Sequence, residues 1–166
     1  MAQPVRFKRH FCNYQNGLKP KPALPAGREV AMVTVALNKY RDAGLLILRI
    51  GIGCMFIYHG FPKIFGGPQM WTNVGLMAMP GLGIKFAPAF WGFMAGFSEL
   101  VGGILIIFGL FFRIACALLL ITMATAAHMQ LTSRGMLAAS QPIEDGILFL
   151  SLILIGPGKY SLDEIF

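Results

Sequence analysis

Arg49, His59, Lys63, Glu99, His128 and Glu144 lie within or beside long apolar runs, where ionisable side chains are rare. In a bilayer such a residue costs roughly 2.5–3.5 kcal/mol on insertion scales, so it turns toward a helix partner or a polar cavity and often marks a proton relay or substrate site. Glu99, with His59 or His128, is suited to exchange protons, and Arg49 and Lys63 to favour an anionic substrate. Glu144 is expected close to Lys63 at the same level.

The spacing supports this. Arg49, Gly53, Phe56, Gly60 and Lys63 recur at helical intervals and form one stripe, which His59 borders. Gly92, Gly96, Glu99 and Gly103 form another, and glycines beside a carboxylate let a neighbouring backbone approach closely. Ala117, Ile121, Ala124 and His128 align on a third face, and Glu144, Leu148 and Ser151 on a fourth. At about 1.5 Å per residue, Glu99 comes near the bilayer midplane with Arg49 within reach, and His59 and His128 come to one level. The expected arrangement is an Arg49–Glu99 pair flooring a polar pocket that opens outward. An ion pair that only fixes helix register, and histidines that are only hydrogen-bonded, are the plainer readings of the same residues.

These stripes need membrane helices to carry them. Of 166 residues 56% are hydrophobic and 13% charged, against about 25% charged in a soluble domain. Apolar stretches at about 43–61, 88–112, 114–131 and 142–157 approach the ~17–25 residues that cross a bilayer as a helix. They are continuous rather than alternating, which favours helices over a membrane barrel. The fold class is therefore all-α, an integral membrane four-helix bundle over 41–166. The long connection from Pro62 to Ala87, uncharged from Ile64 to Ile84 and containing Trp71, reads as a segment lying in the interface and roofing the bundle.

The net charge is +7, and eight of the fourteen basic residues precede residue 42. Charge so placed describes a basic, proline-containing tail, residues 1–40, rather than a nucleic-acid surface. With Arg113 and Lys159 it puts both termini on the cytoplasmic side of an inner (plasma) membrane. The tail has no secretory apolar core, and Met32 offers an alternative start. Cys12, Cys54 and Cys116 form no paired motif, so no disulfide, zinc site or attached haem is expected. A haem between His59 and His128, or copper held by His128 with Met77 and Met79, has little support beyond the residue types. No metal and no resident cofactor is expected; quinone is the candidate diffusible substrate.

The motif series resembles the DoxX family of small four-helix membrane proteins. It comprises Arg49-Ile50-Gly51, His59-Gly60 with Lys63, Glu99 with Gly102-Gly103, Gly109-Leu110 before Arg113, and Gly156-Pro157-Gly158-Lys159 leading to Ser161-Leu162-Asp163. The match spans about 43 to 163 and omits the tail. It implies a membrane subunit of a quinone- or thiol-linked oxidoreductase system, akin to the membrane subunit of a thiosulfate:quinone oxidoreductase, with a partner redox protein or a second copy of the chain. A non-catalytic scaffold, or a small-molecule transporter, is the alternative.

Overall fold

The computed structural model describes residues 39–165, so the basic tail lies outside the described residues except for its last two. Every regular element among them is helical. Helix α1 spans Arg41–Phe65, α2 Gly67–Ala78, α3 Pro88–Phe108, α4 Phe112–Arg134 and α5 Met136–Ile155. Single 3-10 turns occupy Pro80–Leu82 and Leu162–Glu164. Helices α1, α3, α4 and α5 are long and apolar enough to cross a membrane, as the sequence implied.

Where bounds differ from expectation, glycine and proline account for it. The second crossing ends at Phe108 rather than near 112, because Gly109 adopts φ +65° and closes the helix with bonds from its own N–H and that of Leu110. The last crossing starts six residues earlier than Pro142, at Met136, because Gly135 at φ +84° breaks the chain from α4 and the intervening residues are mostly good helix formers. Pro142 is then buried within the helix, and Glu144 and Asp145 lie more than a turn inside it. The interfacial connection is itself helical, as α2 and the Pro80–Leu82 turn.

Helix α3 is the hub. Glycines on α1 and α3 bring those backbones together: a Cβ on Gly60 would stand 2.5 Å from Leu100 N, and one on Gly103 2.7 Å from Gly53 O. Gly75 and Gly92 do the same between α2 and α3, leaving no room for a side chain against Pro88 O and Trp71 O. Close approach through small residues is how membrane helices gain packing when lipid is as apolar as the core. Phe56, Ile106, Phe112, Cys116, Leu119 and Phe149 fill the interior, with Phe56 and Phe149 edge to face at 5.0 Å. Large apolar side chains such as Ile47, Tyr58 and Leu154 stay exposed, as a lipid-facing surface requires.

The C-terminal segment folds back over the end where α3 stops and α4 starts. Asp163 accepts bonds from Phe111 N at 2.8 Å and Phe112 N at 2.9 Å, satisfying the first donors of α4, and its own N–H donates to Gly109 O at 3.0 Å. Gly109 is required here on two grounds, its left-handed backbone and a Cβ position 2.6 Å from both Arg49 Nη2 and Ser161 Cβ. Gly109→Ala is expected to cost roughly 1–3 kcal/mol in detergent unfolding, whereas Gly44→Ala, in open space, changes stability by less than about 0.5 kcal/mol.

Candidate functional site

Two polar centres occupy the bundle, one toward each end, and α1 contributes a cation to both. The first is built on Arg49, which is 1% exposed. Its Nε donates to Ile106 O at 3.0 Å and Nη2 to Ile107 O at 2.8 Å, reaching the final turn of α3. Its Nη1 donates to Pro157 O at 3.0 Å and Tyr160 O at 2.9 Å in the C-terminal segment. The guanidinium also lies 6.0 Å from the centroid of the Phe112 ring. Orphan carbonyls at a helix end need donors, and a rigid five-donor fork supplies four of them here.

The second centre is the ion pair of Lys63 with Glu99, Nζ to Oε1 at 2.5 Å, the one ion pair among the described residues. Glu99 is 3% exposed, while the Lys63 side chain keeps 28% of its surface accessible. Gly96 makes room for the lysine, since a Cβ there would meet Lys63 Cβ at 2.9 Å. Trp71 of α2 caps the end of α1 by donating from Nε1 to Lys63 O at 2.8 Å, and packs edge to face on Phe93. On the residue before Glu99, Ser98 Oγ shares a hydrogen bond of 2.8 Å with Thr122 Oγ1 that ties α3 to α4.

The expected Arg49–Glu99 pair is therefore replaced by Lys63–Glu99, and helix geometry gives the reason. Side chains on an α-helix lean toward its N-terminus. Arg49 leans away from Glu99 and into the carbonyls at the near end of the bundle, whereas Lys63, fourteen residues later, leans back toward the middle. Glu99, on the antiparallel α3, leans toward Lys63 in turn. Depth along the axis alone does not contain this direction. Lys63 accordingly turns inward onto Glu99.

The remaining candidates are more dispersed. His59 is exposed on α1, edge to face with Tyr58 at 5.6 Å. His128 is half-buried beneath the turn at Gly81, and its Nδ1 is buried without a hydrogen-bond partner. Glu144 is exposed, while its neighbour Asp145, which the spacing argument passed over, is half-buried and within Coulombic reach of Glu144 and His59. Among the described residues no three His, Cys, Asp or Glu side chains cluster as metal ligands. The spacing of ionisable residues does not reveal the contacts made by Trp71, by Asp163 or between Ser98 and Thr122. Trp71, eight residues past Lys63 and in an uncharged connection, was the most visible of them.

The two centres are expected to respond differently to mutation. Arg49→Ala should cost about 3–5 kcal/mol by orphaning buried carbonyls, and Arg49→Lys should recover little, because one ammonium cannot reproduce the fork. Adding Glu99→Leu to Arg49→Ala is expected to be additive, while Glu99→Leu added to Lys63→Met should recover much of the single loss. Unfolding of the three single and two double variants in detergent, arranged as two cycles, checks both statements; coupling of Arg49 with Glu99 above about 1 kcal/mol would contradict the geometry.

The DoxX family model matches residues 44–131. An uncharacterised protein of Haemophilus influenzae is 35% identical over 140 residues, which is 78% of this chain and 96% of that protein. A Bacillus subtilis protein named "Putative oxidoreductase CatD" is 32% identical over 93 residues, 54% of this chain and 61% of that protein's length. No solved structure matches the chain at a significant level.

Proposed function

We propose, from the premise that this chain belongs to the DoxX family, that it is the membrane subunit of a quinone- or thiol-linked oxidoreductase system. The observation that carries the reading is the Lys63–Glu99 pair, a deeply buried carboxylate held by a lysine that remains partly accessible. Reducing a quinone to its quinol takes two electrons and two protons. The electrons come from a thiol pair closing to a disulfide, or from two thiosulfates joining as tetrathionate, and a partner protein carries them. The protons pass through the bundle: Lys63 meets the quinone oxygen or a small sulfur anion from the accessible side, and Glu99 takes up and returns the proton behind it. His128, whose Nδ1 is buried and unpartnered, and the exposed His59 are the other candidates for proton exchange. The name of the Bacillus relative agrees with redox work in the family.

In this reading the Lys63 end opens outward, and the end holding Arg113 and Lys159 faces the cytoplasm of an inner membrane, as the basic residues favour. Arg49 takes no part in the chemistry, because four of its five donors are committed to carbonyls. That same clasp favours a second reading, a non-catalytic scaffold whose charges specify one helix arrangement.

Glu99→Gln separates the two. Native membranes containing the full chain together with its partner redox protein are supplied with a short-chain quinone and a dithiol or thiosulfate, and quinol formation is followed. Under the redox reading Glu99→Gln lowers turnover by about 10²-fold or more while helix content and membrane level stay constant. Unchanged turnover with the folded variant contradicts proton exchange at Glu99 and leaves the scaffold.

A further inference from the structure

At the Arg49 end, a cavity of about 260 Å³ lies between the start of α1, the start of α4 and the segment after α5. Three cations line it, Arg41, Arg113 and Lys159, together with Asp42 and Glu164. None of the five belongs to an ion pair among the described residues. Asp42 is instead engaged by the backbone, since Lys159 N donates to its Oδ1 at 3.3 Å. Gly156 and Gly158, both at positive φ, carry the chain around the cavity, and Gly156 leaves the Arg113 guanidinium close to the backbone. Three cations against two carboxylates leave one positive charge, which suits a ligand with a single negative charge.

A second cavity of about 340 Å³ adjoins the first and shares Arg113, Pro157 and Glu164 with it. Its lining is mostly apolar and includes Phe111 and Ile114, which are 60% and 59% exposed on the lipid-facing side, and its further carboxylate, Asp163, is already engaged by Phe111 N and Phe112 N. A polar cavity opening onto an apolar groove, at the level where the membrane-crossing helices end, fits an amphipathic ligand. Free phosphate would use only the first half.

We propose that the paired cavities bind an anionic phospholipid. Its phosphodiester sits among Arg41, Arg113 and Lys159, and an acyl chain runs along the groove beside Phe111 and Ile114. A zwitterionic headgroup brings its own ammonium into a cavity already positive by one charge and binds more weakly. The bound lipid bridges the starts of α1 and α4 and the segment after α5, beside the Arg49 clasp that joins α1 to the end of α3 and to that same segment. This inference does not rest on the redox reading and survives its failure.

The test uses the full chain in mild detergent, titrated with phosphatidylglycerol, with phosphatidylcholine or with inorganic phosphate, and read by native mass spectrometry. Phosphatidylglycerol is expected to bind about tenfold or more tighter than phosphatidylcholine, and Arg113→Gln and Lys159→Gln each to weaken it by about fivefold. Arg113→Lys and Lys159→Arg should keep the preference, and Arg134→Gln, at the opposite end, should leave it unaltered. Equal affinity for the two lipids, or glutamine variants that retain full binding, would overturn the proposal. Displacement of phosphatidylglycerol by inorganic phosphate at equal concentration would put a free phosphate in the cavity and overturn the lipid assignment.

Discussion

Inside hydrocarbon an isolated charge has no water to turn to, so Lys63 and Glu99 confine α1 and α3 to the register in which the two groups meet. Much of the surrounding structure makes that meeting feasible. Gly96 removes the side chain that would block the lysine, Gly60 lets α1 ride directly on the backbone beside Glu99, and Trp71 satisfies the carbonyl that Lys63 leaves at its helix end. The short helix α2 is thus a structural lid on the pair as well as a connection. A pair of this kind adds little net stability but penalises every arrangement that separates it.

The Arg49 centre solves a different problem. Three chain ends converge there: the last turn of α3, the start of α4 and the segment after α5. Each leaves backbone groups without helical partners in a region where water is scarce. Arg49 supplies donors to the carbonyls and Asp163 supplies acceptors to the amides, with Gly109 bending the chain between them. A cation and an anion therefore serve backbone groups rather than each other. The motif residues of the family resemblance that gather at this end are largely explained by this closure, while those at the other end surround the buried pair.

The sequence made some of this legible and hid the rest for physical reasons. The crossings were evident because long uncharged runs have one stable form in lipid, and the glycine faces were evident because helical periodicity needs only spacing. Their ends are less so: hydropathy reads through Gly109 and Leu110 without registering a left-handed backbone, and it stops at Pro142 although the helix that starts at Met136 runs through that residue. The polar residues stand out in the sequence, but their partners do not. Depth along a helix placed Arg49 near Glu99, whereas the lean of side chains toward the N-terminus sends Arg49 one way and brings Lys63 back to the carboxylate. Asp163 and Trp71 act on backbone atoms, and such contacts leave no periodic trace.

What the arrangement offers to function is a buried carboxylate held by one partly accessible lysine. The direct measurement is distance-sensitive solid-state NMR of the chain in lipid bilayers, with the Lys63 Nζ and Glu99 carboxylate signals assigned by their loss in Lys63→Met and Glu99→Gln. The account predicts a dipolar coupling that places these two groups in direct contact. Absence of that coupling, or a coupling of Glu99 to the Arg49 guanidinium in its place, would contradict it.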